Sequence, residues 1–98
     1  EITFDAIDQL MTTVVNLNKY NEPDTAILFL NKYIPGNPTR FQLFMELARA
    51  YILKNDKENA LKAINQAKKV YAQERFTRYS SKIEKELVIL EEKINNMK

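Results

Sequence analysis

The chain lacks cysteine and histidine altogether, and carries one glycine among its 98 residues. Without cysteine there is no disulfide, no thiolate nucleophile and no cysteine-based zinc site. Without histidine the commonest metal ligand and the commonest general base near neutral pH are missing too. One glycine and three prolines leave nearly every turn to Asn, Asp and the segment Pro35-Gly36-Asn37-Pro38. A sheet with several hairpins would draw on more glycine, so the composition points to helices. No apolar run approaches the ~20 residues of a membrane-spanning helix, and no secretory signal is recognisable. A cytoplasmic setting is the default expectation. The chain begins at Glu1, so a truncated or processed N-terminus is the competing account.

What is present suits one domain: 45% of the residues are apolar, enough for a sizeable core at this length. The formal charge is +2, unevenly spread. Residues 1–53 hold four basic and six acidic groups, residues 54–98 eleven basic and seven acidic. That asymmetry gives the second half either a preference for acidic surfaces or simply a solvated face.

The stretch 41–72 organises the rest. Leu43, Phe44, Leu47, Ala48, Tyr51 and Ile52 recur at helical spacing, Asn55-Asp56 interrupts them, and Ala60, Leu61, Ile64, Ala67, Val70 and Tyr71 resume the period. The small residues Ala48, Ala60 and Ala67 allow two backbones to approach closely, so this is a tight antiparallel helical hairpin.

Around it the chain divides in order. A first helix over 3–19 carries Ile7, Leu10, Met11, Val14 and Leu17 on one stripe, with Thr3 as its cap and Asp5 and Asp8 near its positive end. Asn21 is expected to cap a second helix over 23–34, with Pro23 in its first turn and Ala26, Ile27, Leu30, Tyr33 and Ile34 inward. Pro35 to Pro38 ends it. The third helix spans 39–54, capped by Asn37-Pro38, and the fourth 57–73. A fifth, over 76–96, repeats Phe76, Tyr79, Ile83, Leu87, Leu90, Ile94 and Met97 at steps of three and four.

An offset of 34 residues aligns Leu10 with Phe44, Leu17 with Tyr51, Ala26 with Ala60 and Leu30 with Ile64. A helix–turn–helix unit of that length, with bulky and small residues so placed, resembles the tetratricopeptide repeat (TPR) family. Residues 41–74 match well, through Phe44, Leu47, Ala48, Tyr51, Ala60, Ile64 and Ala67, with Ala72 in place of the frequent terminal proline. Residues 7–40 match less closely: Thr13 and Val14 stand where the family has a leucine and a small residue, and Tyr33 where it has a small one, while Pro38 fits. The closing segment 76–97 has Arg78, Ser81 and Lys82 at would-be core positions, so it reads as a cap.

The resemblance implies an all-α fold, a short TPR-like helical solenoid of two antiparallel helix pairs plus a long C-terminal capping helix. It implies a noncatalytic protein-interaction module that binds a peptide or helix of a partner in a concave groove lined by the first helix of each pair. The groove candidates are Met11, Thr12, Val15, Asn18 and Lys19, with Gln42, Met45, Glu46, Arg49 and Leu53. The subgroup that clamps a terminal carboxylate matches poorly, because Met11, Val15, Glu46 and Ser80 replace its polar contacts. Arg49 serves either to pair with a ligand carboxylate or, as the simpler reading, in a structural or solvated role.

Other readings compete. The row Ile83, Leu87, Leu90 and Ile94 serves either as the face of a cap or as a homodimer interface. The chain is then an oligomerisation or peptide-sensing fragment of a larger regulatory protein, of the kind found in bacterial transcription regulators. Lys68, Lys69, Arg75, Arg78, Lys82 and Lys85 form an interrupted basic stripe for nucleic acid, with Phe76 and Tyr79 available to stack, but Glu74, Glu84 and Glu86 oppose it. Membrane attachment through the last helix is opposed by Glu84, Glu86, Glu91 and Glu92. No catalytic constellation, metal site or cofactor is expected.

Overall fold

The computed structural model describes residues 4–74 and 80–97, which form five helices and no strand. They are α1 (Phe4–Lys19), α2 (Pro23–Tyr33), α3 (Phe41–Leu53), α4 (Lys57–Glu74) and α5 (Ser80–Asn95), with a single 3-10 turn at Ile34–Gly36. Thr3, Arg75, Phe76, Arg78 and Tyr79, and the side chains of Asp5, Asp8, Glu74 and Ser80, lie outside what is described, and with them the roles expected there.

The helix α3 is the centre. It pairs most extensively with α4, packs against both α1 and α2, and meets α5 more lightly, while α5 leans chiefly on α4. The reason is in its sequence: Phe41, Leu43, Phe44, Met45, Leu47, Ala48 and Ala50 are all buried, so α3 is apolar around most of its circumference. Its neighbours contribute narrower stripes. Val14 from α1, Leu30 from α2, Ile64 from α4 and Ile94 from α5 are fully buried in the same core.

Alanine decides how closely these helices approach. Ala60, Ala63 and Ala67 stand at i, i+3 and i+7 on α4, each at most 4% exposed, and Ala26, Ala48 and Ala50 are fully buried on α2 and α3. At the wider end of the α3–α4 hairpin the Phe41 and Tyr71 rings meet edge to face, with centroids 5.4 Å apart. Five helices packed in this way give a radius of gyration of 12.7 Å, close to the ~13 Å of a compact domain of this length.

The turns after α1 and α3 are the same turn. Among the described residues, Asn21 (φ 60°) and Asn55 (φ 58°) are the non-glycine residues with left-handed backbone, and 34 positions separate them. In the first, the Asn21 N–H donates to Asn18 O and the Glu22 N–H to Leu17 O; in the second, the Asn55 N–H donates to Ile52 O and the Asp56 N–H to Tyr51 O. Each is a Schellman closure, in which a left-handed residue satisfies the last carbonyls of a helix. Asparagine tolerates that conformation better than other residues with a Cβ, which is why it substitutes for glycine here.

Two capping expectations are therefore corrected. Asn21 does not begin α2 but ends α1, and the residue before Pro23 is Glu22, whose side chain makes no capping bond. Asn37-Pro38 does not cap α3, which starts at Phe41 after Arg40. The buried Asn37 turns backward instead, its Nδ2 donating to Tyr33 O at 3.0 Å and closing the end of α2. Before α4, by contrast, Asp56 caps properly: its Oδ1 accepts from the Asn59 N–H at 3.2 Å.

Candidate peptide-binding groove

Between α1, α3 and α5 the surface folds inward into a cavity of about 510 Å³. Its apolar wall is built by Val15 from α1, Ile52 and Leu53 from α3 and Leu90 from α5. Its polar wall is a chain of side chains crossing the three helices. Asn18 on α1 donates through Nδ2 to both the backbone carbonyl and Oε1 of Glu46 on α3, each at 3.2 Å. The Arg49 guanidinium meets the other Glu46 oxygen through Nη1 and approaches Glu86 of α5 through Nη2 at 3.7 Å.

The three-residue step from Glu46 to Arg49 puts both on one side of α3, which makes the ion pair local. Burial makes it consequential. Only 7% of the Glu46 side chain is exposed, and a buried carboxylate requires a charged or hydrogen-bonding partner. Asn18 and Arg49 supply both. Asn18 Oδ1 is itself buried and has no hydrogen-bond partner. Lys19 and Lys93 complete the lining. Lys19 lies 5.8 Å from the Tyr20 ring, and among the described residues neither ammonium forms an ion pair.

A smaller recess of about 150 Å³ continues the groove toward the start of α3, lined by Met11, Gln42, Met45, Ile83 and Glu86 among others. Thus Val15, Asn18, Lys19, Glu46, Arg49 and Leu53 stand on the larger cavity and Met11, Gln42 and Met45 on the smaller. Thr12 is exposed and lines neither. Two candidates are placed differently from the expectation of open groove contacts. Met45 is 3% exposed and Glu46 5%, so both support the floor from beneath.

The repeat resemblance places the groove on the first helix of each pair and assigns no wall to the last helix. Glu86, Leu90 and Lys93 stand at i, i+4 and i+7, one face of a helix, and that spacing is the signal that points to it. The row expected to serve as a cap or dimer face is turned toward the rest of the chain. Leu87, Leu90 and Ile94 are buried within the chain, with Ile83 half-buried beside them, so this face is already occupied. What α5 turns outward is Val88 and Ile89, 52% and 60% exposed.

The basic stripe lies partly within the described residues. Lys68 is bonded to Glu91 at 2.7 Å, and Lys69, Lys82 and Lys85 are exposed. Among the described residues no group of three or more His, Cys, Asp or Glu is placed to hold a metal ion. None of the described helices is long and apolar enough to cross a membrane. No family model, curated protein or solved structure matches the chain.

Proposed function

We propose that this chain is a noncatalytic protein-interaction module of TPR-like architecture, which holds a peptide or helix of a partner protein in the groove between α1, α3 and α5. The observation that carries the reading is the combination on one concave surface: an apolar wall with Val15 and Leu53 each 44% exposed, beside polar groups held by hydrogen bonds across three helices. Exposed apolar side chains recessed among fixed polar ones fit ligand capture better than bulk solvation. The repeat architecture has its own support in the two Schellman turns 34 residues apart and in the buried pairs Ala26 with Ala60 and Leu30 with Ile64.

The mechanism is preorganisation. Glu46, Arg49 and Asn18 are fixed before a partner arrives, so fewer rotamers are ordered on binding. A test must avoid Met45, whose replacement by a charge would disturb the core. Val15→Glu with Leu53→Glu charges the apolar wall at exposed positions, and Val88→Glu with Ile89→Glu does the same on the outer face of α5. Partner capture from cells of the source organism should be lost in the first pair and kept in the second, with the melting temperature of both close to that of the parent. Equal capture by both variants would rule out the groove.

A further inference from the structure

We infer that the groove selects an acidic side chain within the partner segment, and that Glu86 of α5 occupies the place of that side chain until the partner arrives. This deepens the groove reading and rests on it. The cavity carries three cations, Lys19, Arg49 and Lys93, against two carboxylates, Glu46 and Glu86. The two carboxylates are not equivalent. Glu46 is buried, held by Asn18 as well as Arg49, and belongs to the floor. Glu86 is 42% exposed and stands 3.7 Å from Arg49 Nη2, beyond hydrogen-bond distance. It faces the guanidinium, already paired with Glu46 through Nη1, without closing a bond to it.

Arg49 Nη2 is therefore the donor that an incoming carboxylate takes. The exchange trades a loose ion pair for a direct charge-assisted hydrogen bond and returns Glu86 to water. Lys19 and Lys93 flank the same space and reinforce the preference for negative charge. The apolar wall of Val15, Ile52 and Leu53 requires hydrophobic residues next to the acidic one. An acidic-apolar protein segment meets both demands. A nucleic-acid backbone meets only the first, and its repeated phosphates would face Glu46 and Glu86 as well as the cations.

The probe is an acetylated, amidated octapeptide alternating leucine and aspartate, compared with the same peptide carrying asparagine. Neither has a terminal carboxylate. Binding to the intact chain is followed by NMR titration, with resonances of Val15, Lys19, Arg49 and Lys93 reporting the site. The aspartate peptide should bind about tenfold more tightly than the asparagine one, the difference of one charge-assisted over one neutral hydrogen bond. Glu86→Gln should tighten it by about threefold or more, since the competing charge is gone. Lys19→Glu with Lys93→Glu should abolish binding, whereas Lys69→Glu with Lys82→Glu, exposed residues outside the cavity, should leave it unchanged.

Several results would overturn the inference. Equal affinity for both peptides at the same resonances would remove the acidic preference and leave the groove standing. An equal loss in the two lysine pairs would reduce the effect to net charge. Saturable binding of oligothymidylate at the cavity, with the aspartate peptide inert, would replace the protein segment by nucleic acid. No shift with either peptide up to about 1 mM, in the parent and in Glu86→Gln alike, would also defeat it, while the capture experiment with Val15→Glu and Leu53→Glu judges the groove separately.

Discussion

Asn18 and Glu46 show what single residues contribute and what a linear reading finds hard to foresee. Both are groove candidates through the repeat resemblance, which turns the first helix of each pair inward. Their mutual bond joins residues 28 positions apart, and no helical period encodes a pairing between different helices. Asn18→Ala leaves Glu46 with one fewer donor in a buried setting and should lower unfolding free energy by about 1–3 kcal/mol in urea titrations. An unchanged midpoint would mean that solvent replaces the amide without cost. Asp56 supplies a pH test. Hydrogen bonds from the side chain and then the backbone of Asn59 hold its carboxyl below the ordinary carboxylate range. A pKa depressed by folding stabilises the protein above the unfolded value, and that contribution is lost as pH falls through the folded value. Asp56→Asn, which keeps a capping oxygen without the charge, should melt below the parent at pH 7, and the gap should narrow as pH drops below about 4. A gap constant with pH would contradict the assigned cause.

At the scale of the element, helix identity was legible because alternating three- and four-residue apolar spacing is a local property. Helix ends were less so. Asn21 and Asn37 are both good N-cap residues by type, yet one closes α1 in left-handed geometry and the other turns back to Tyr33. Which role an asparagine takes depends on the exit angle of the preceding helix, and that is set by packing. Gly36 shows the converse: its backbone is not left-handed, and an added Cβ would meet nothing. Gly36→Ala should therefore stabilise the chain by about 0.4–1 kcal/mol, by restricting the unfolded state. The alanine seam predicts the opposite sign. Ala60→Leu puts three extra carbons into a fully buried position facing α3 and should cost about 1–3 kcal/mol in thermal or denaturant unfolding. For α5, Leu87→Asp with Leu90→Asp charges two side chains only 6% and 5% exposed. Loss of cooperative unfolding in the monomer is expected, whereas a folded monomer that has merely lost a dimer would place that face between copies.

The whole molecule ties the groove to the way α3 is covered. An apolar central helix draws α1, α2, α4 and α5 around itself, and the cavity remains where α5 meets α3 lightly. The repeat resemblance names the α1 and α3 residues of that surface, because it turns the first helix of each pair toward the concave side. Spacing puts Glu86, Leu90 and Lys93 on one face of α5, but not that this face closes the groove, because the angle of α5 depends on contacts with α4 that no repeat register specifies. The most direct measurement places a benzophenone photocrosslinker at Leu53, or at Ile89 on the outer face of α5, and maps crosslinked partner peptides by mass spectrometry. The account predicts one partner segment crosslinked at Leu53, absent at Ile89 and lost with Val15→Glu. Crosslinks confined to Ile89, or formed only between copies of the chain, would contradict it.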